Sequence, residues 1–289
     1  MVSVDDIFVS TKAQESLINK ILGSLSDENC VIKIIQRGSF ATGKEDRASD
    51  VDLLFVVEDD CYEKFLEGLN EKLKSAIDLV FNEGWIDTIV PNFGGIGFVY
   101  LAKDMDKLIQ LDLYVTPKQN SAKILKLEEK RIIYSRYEYS LGEYAKKNVK
   151  DFKCINKQFI KNNLDQEFQI IFEVLLVIEM YAKHIYRGHT MLSCKYRYLC
   201  IESLARFLRY VHTPEKVGYL MYDWNHDFKN INDPIVKQFE RNIQLIDIYS
   251  EEQVFTLIRI FKKIMLEHFS NNQREQYYEA INFVEEYIG

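Results

Sequence analysis

Apolar residues recur at helical spacing across residues 11–25 (TKAQESLINKILGSL), which predicts a helix. The β-branched run Val31-Ile32-Lys33-Ile34-Ile35 leads to Gly38-Ser39 and predicts a buried strand ending in a tight turn. Val51–Val57 predicts a second strand, and residues 61–82 an amphipathic helix. Three more strand-like segments fall at 88–91, 97–102 and 108–115. Asn92-Phe93-Gly94-Gly95 and Lys103-Asp104-Met105-Asp106 separate them as turns. Gly94-Gly95-x-Gly97 lacks the following helix that a dinucleotide-binding loop needs, so it reads as a hairpin turn.

The texture changes after Pro117. Helical periodicity then dominates, with helices predicted over about 160–187, 193–211, 233–247, 251–270 and 273–287. The tyrosine-rich, polar stretch 136–151 reads as a connector. The pattern predicts an α+β chain: a mixed-sheet domain over residues 1–120, then an all-α helical-bundle domain over 121–289.

Composition narrows this picture. A chain of 289 residues with 47% hydrophobic and 28% charged residues can bury a real core. A formal net charge of -7 argues against general nucleic-acid binding. Five cysteines without a CxxC pair read as reduced thiols, and the N-terminus lacks the basic and apolar blocks of a signal peptide. The longest apolar candidate, 170–181, is short of the ~20 residues of a membrane span and carries Glu173 and Glu179. The expected setting is the cytoplasm, with no membrane partner. Five scattered histidines show no metal-ligand spacing.

Candidate chemistry concentrates in residues 37–53 (RGSFATGKEDRASDVDL). Gly38 lets backbone approach a bulky anion, and the Ser39 hydroxyl and nearby amides can donate to phosphate oxygens. Lys44 and Arg47 add positive charge. Asp50 and Asp52 flank one apolar residue at a strand start, so their side chains share a face. Two adjacent carboxylates repel unless a cation lies between them, and Mg²⁺ takes such oxygens together with substrate phosphates. Asp112, alone among apolar neighbours in Leu108–Val115, offers a third acid, which suits a two-metal site.

Gly-Ser, ten intervening residues, acid–apolar–acid, and a third acid on a later strand together resemble the signature of the DNA polymerase β-like nucleotidyltransferase superfamily. The resemblance covers roughly residues 30–116. It implies catalytic metals, two Mg²⁺ ions, held by Asp50, Asp52 and Asp112. It also implies an NTP, with ATP expected, held at Gly38 and Ser39. The segment 178–187 (IEMYAKHIYR), closed by Gly188, resembles the helical domain of kanamycin nucleotidyltransferase. On that likeness Glu179 is the general base and Lys183 contacts phosphate or acceptor, and a homodimer could complete the cleft. From the residues alone, Glu179 and Lys183 read equally as an ordinary i,i+4 pair, and Glu173 and Glu167 compete for the base role.

The expected activity is Mg²⁺-dependent transfer of a nucleoside monophosphate to a hydroxyl of a small acceptor of aminoglycoside or lincosamide type. Two alternatives stand beside it: an adenylyltransferase acting on protein or tRNA, and a nucleotide-binding module without catalysis.

Overall fold

The computed structural model describes residues 11–26, 29–87, 94–104, 107–120, 131–136, 150–243, 251–270, and 275, 277, 278 and 280. It divides into two compact units that meet in sequence at Leu164/Asp165.

The first unit is a six-stranded mixed sheet with helices. Helix α1 (Thr11–Leu25) leads to β1 (Val31–Gln36), a one-turn helix α2 (Gly38–Thr42) and β2 (Val51–Val57). Helix α3 (Tyr62–Ala76) follows, then β3 (Trp85–Asp87), β4 (Ile96–Asp104), β5 (Lys107–Pro117) and β6 (Arg131–Ser135). The strand order is β3-β4-β5-β2-β1-β6, in which β2 and β5 run parallel and the other pairs antiparallel.

The two faces of this sheet differ. Val51, Leu53, Phe55 and Val57 of β2 and Leu111, Leu113 and Val115 of β5 join the main core with Leu17, Ile21 and Leu25 of α1 and Phe65, Leu69 and Leu73 of α3. Alternation therefore sends Asp52, Leu54 and Val56, and likewise Asp112 and Tyr114, to the opposite face. There, among the described residues, a small buried cluster forms from Ile32, Ile35, Leu54 and Val56 with Tyr114 against it. An apolar face of α1 and α3 anchors one side of the sheet, and Asp52 and Asp112 lie on the other.

Helix α3 stops at Ala76, short of the expected residue 82. Ile77 is extended, and the chain beyond it bonds to β4: the Val80 amide donates to the Leu101 carbonyl at 2.8 Å. The strand expected at 88–91 lies outside the described residues; β3 immediately precedes it. Strand β6, which pairs with β1, was not anticipated, because Arg131–Ser135 has two charged or polar ends and little burial.

Helix α4 (Phe152–Asn163) completes this unit. Phe152 meets the Tyr62 ring edge-on at 5.3 Å, and Phe159 meets Phe98 at 6.1 Å. The Tyr62 hydroxyl donates to Asn156 Oδ1 at 2.9 Å, and Asn156 Nδ2 donates to the Gly95 carbonyl at 3.2 Å.

The second unit is helical. It contains α5 (Gln166–Tyr186), α6 (Thr190–His212), the single turn α7 (Trp224–Asp227), α8 (Pro234–Ile243) and α9 (Glu251–His268). The single helix expected over 160–187 is two, because Asp165 caps a new start: its carboxylate accepts from the amides of Glu167 and Phe168. Gly188, at φ +64°, ends α5 as expected. Helices α5 and α6 pack along each other, and Phe207 of α6 stacks between Phe261 and Phe269. Of the helix expected at 273–287, the described residues 275, 277, 278 and 280 are helical. No helix among the described residues is long and apolar enough to cross a membrane.

The connector between α6 and α8 is built around Arg209, which is fully buried. Its guanidinium donates to the carbonyls of Leu220 and Tyr222, pairs with Asp227 at 2.8 Å, and lies over the Trp224 and Phe228 rings. Lys216 also bonds Asp227. A buried guanidinium needs this many acceptors, since a lone one would be too costly.

Candidate active site

Strand pairing brings two of the three expected acids together. In the parallel ladder Asp52 is the direct register partner of Asp112. Both are half-buried and lie on the sheet face opposite the main core. Asp50 sits just before β2, also half-buried. The donor atoms of all three do not converge within 4.8 Å; among the described residues only His212, Asp233 and His268 do that.

The Gly38 turn is fitted to Asp52. Gly38 has φ +63°, and a Cβ at that position would lie 2.1 Å from Asp52 Oδ2. Only glycine allows both the left-handed backbone and the close approach. The Arg37 amide donates to the Asp52 carbonyl at 3.0 Å, so the turn is tied to β2 by backbone as well. Helix α2 begins at Gly38 and closes on Gly43 at φ +66°.

The spacer between Ser39 and Asp50 is built rather than loose. Asp46 Oδ1 accepts from the Ala48 amide and the Ser49 hydroxyl, each at 3.0 Å, and Ser49 Oγ accepts from the Asp46 amide at 2.9 Å. Gln14 of α1, buried beneath, donates to the Ser49 carbonyl at 2.5 Å. This turn fixes where Asp50 emerges, and leaves Lys44 and Arg47 exposed on the loop.

Asp112 is not the isolated carboxylate that its neighbours in sequence suggested. It occupies the less apolar face, and Gln110, two residues back on the same face, donates Nε2 to its Oδ1 at 2.8 Å. The amide fixes one carboxylate oxygen and turns the group.

Two further neighbours, Arg37 and Asp87, escaped the sequence reading. Arg37 lays its guanidinium over the Tyr114 ring, 5.1 Å from the centroid. Asp87, at the end of β3, lies across Gly97 from Tyr114. A Cβ at Gly97 would come within 2.9 Å of the tyrosine ring and 3.3 Å of Asp87 Cβ. Burial pushes the Tyr114 hydroxyl well above its usual range; the charges of Asp112, Asp52 and Asp87 add to that, and Arg37 opposes it. Four elements thus deliver an acidic patch with one stacked guanidinium. Gln110 and Asp87 could have been found only from register, which local pattern does not carry.

Within the helical unit, Glu179 and Lys183 form an ion pair of 2.9 Å, with side chains 3% and 2% exposed. The rival acids are engaged too. Glu173 pairs with Arg206, and burial raises its carboxyl above the ordinary range against that cation's pull. Glu167 accepts from the hydroxyls of Tyr210 at 2.8 Å and Tyr277 at 3.3 Å. Arg197 donates to Gln253 and to the Ile243 carbonyl, and so braces helix ends.

Residues 18–94 match the family model described as a nucleotidyltransferase domain. The match takes in Gly38, Ser39, Asp50 and Asp52 and stops before Asp112. Among solved structures, the chain is similar to the CdnC:HORMA-deltaN complex of E. coli MS115-1, at 14% identity and a TM-score of 0.26, over 96% of this chain and 90% of that one. No functional reading rests on a likeness of that size. Comparison with curated proteins finds no match.

Proposed function

We propose that this chain is a magnesium-dependent nucleotidyltransferase that moves a nucleoside monophosphate, AMP from ATP, onto a hydroxyl of a small acceptor of aminoglycoside or lincosamide type. The observation that carries the reading is the register pairing of Asp52 with Asp112 beside the Gly38 turn. The nucleotidyltransferase domain match over residues 18–94 supports the same chemistry.

The donor set fits a hard divalent cation: carboxylate oxygens only, two of them on adjacent strands, one braced by an amide. Asp50, Asp52 and Asp112 would hold it, and when bound it supplies charge stabilisation for in-line displacement at phosphorus. The remaining work belongs to the chain. Gly38 and Ser39 admit the triphosphate against backbone. Exposed Lys44 and Arg47 attract it. The braced Asp46–Ser49 turn keeps Asp50 in place.

The catalytic part is assigned to residues 1–120 and acceptor binding to 121–289, in a cytoplasmic protein. Glu179 is assigned the acceptor proton, with Lys183 its charge partner and Glu173 and Glu167 as alternatives. That role requires the buried pair to open to substrate.

The test is pyrophosphate release from ATP and Mg²⁺ with a panel of aminoglycosides and lincosamides, beside arms with tRNA and with protein. Release that depends on a drug supports the reading. Release with RNA or protein alone moves the acceptor to a macromolecule, and absence of ATP binding overturns the catalytic reading.

A further inference from the structure

Far from the aspartate patch in sequence, three side chains converge that no catalytic step uses. His212 is the last residue of α6, Asp233 immediately precedes α8, and His268 is the last residue of α9. His212 Nε2 lies 3.0 Å and His268 Nε2 2.8 Å from the same oxygen, Asp233 Oδ2. All three donor atoms fall within 4.8 Å of one another.

A plain hydrogen-bonded trio would direct each ring N–H at that oxygen. Neither does: both Nε2 atoms are buried and, among the described residues, neither has a hydrogen-bond partner of acceptable geometry, despite the short distances. The rings meet nearly perpendicular, at 77° with centroids 4.9 Å apart.

The spacing suits a transition metal. Donors about 2.0–2.1 Å from a tetrahedral zinc stand roughly 3.3 Å apart. The carboxylate is also held from behind, since Asp233 Oδ1 accepts from the Ile235 amide at 2.7 Å. A ligating carboxylate is ordinarily oriented by such a second bond. Phe228 packs edge-on against His212 and shields one side.

We propose that His212, Asp233 and His268 form a binding site for a divalent transition metal of the zinc class. Two imidazoles and one carboxylate suit Zn²⁺, whose tetrahedral shell they leave one position short. The His212 and His268 side chains keep 16% and 20% exposure, although the Nε2 atoms themselves are buried. The metal would clamp the ends of two long helices to the start of a third. This site is independent of the magnesium assignment, which uses only aspartates of the sheet unit.

The test uses the full chain, stripped with chelator, desalted, and titrated with zinc chloride alone. The expected result is about one zinc retained per chain, a higher melting temperature with zinc than without, and a cobalt complex with tetrahedral-type visible bands. His268→Gln and His212→Gln should lose the retained metal, the melting shift and the bands, with affinity weaker by at least about 10²-fold. Asp52→Asn should bind zinc as the wild type does. Asp233→Asn keeps an oxygen for the Ile235 amide, so it decides the matter should a histidine variant not fold. No retained zinc in the wild type, or equal retention in the variants, overturns the proposal.

Discussion

Asp52 and Asp112 are direct partners across the parallel pair β2–β5, sixty residues apart in sequence and neighbours on the face opposite the main core. Strand pairing forces two carboxylates together where Coulomb repulsion would part them. The core on the other face, from Val51 to Val57 and Leu111 to Val115, supplies the burial that holds them there.

Replacing either acid by its amide should leave that core untouched. Asp50→Asn and Asp52→Asn are each expected to lower turnover at least about 10²-fold, the scale of losing a main electrostatic contact, with melting temperature nearly unchanged. Pyrophosphate release and thermal melting check this. Near-normal turnover in either variant would remove that residue from the metal site.

Gly38→Ala tests the turn. The new methyl would strike Asp52 Oδ2 and sit at φ +63°. The backbone strain alone is about 1–2 kcal/mol, and displacement of Asp52 should cut turnover beyond what that instability explains. Denaturant unfolding and turnover, measured together, separate the two effects.

On the proposed magnesium assignment, Gln110 would act through Asp112, whose Oδ1 accepts from its Nε2. In Gln110→Ala the half-saturating Mg²⁺ concentration is expected to rise about 10-fold or more. A role confined to packing would lower stability and leave that concentration where it was.

The Glu179–Lys183 pair has structural and catalytic readings that separate cleanly. Lys183→Met strands a buried carboxylate and should destabilise by about 3–5 kcal/mol. Glu179→Gln together with Lys183→Met should cost much less. If Glu179 takes the acceptor proton, Glu179→Gln alone lowers the rate by about 10²–10⁴-fold. An unchanged rate hands the role to Glu173, Glu167 or solvent.

Acid should loosen the Arg209 network. The Lys216 ammonium, then the Arg209 guanidinium, hold the Asp227 carboxyl well below its ordinary value of 3.8. A carboxyl depressed in the folded state stabilises above that ordinary value and loses its contribution as pH falls through the folded one. Melting temperature should therefore drop on acidification below about pH 4, and Asp227→Asn should flatten the dependence. An unaltered slope in the variant would assign the acid loss to other carboxylates.

Much of this was legible in the chain. The apolar run in Val51–Val57 and helical spacing in 11–25 gave the right elements, because local burial wrote them. The Gly38-Ser39 turn and the Asp50/Asp52 pair were readable as a motif. Strand β6 was not, since Arg131–Ser135 is mostly exposed. Of helix α4 only the end from about residue 160 was read, joined to α5 across the Asp165 cap, and residues 152–159 were not read as helical. Gln110, Asp87 and the two histidines on Asp233 become partners only through long-range pairing, which leaves no local trace.

Because β5 runs parallel to β2, the chain must cross through α3, β3 and β4 before Asp112 can reach its place. A ribosome that has delivered Asp52 has therefore delivered only half of the proposed centre. Asp112 can join it only after some sixty further residues emerge and β5 takes its place between β4 and β2.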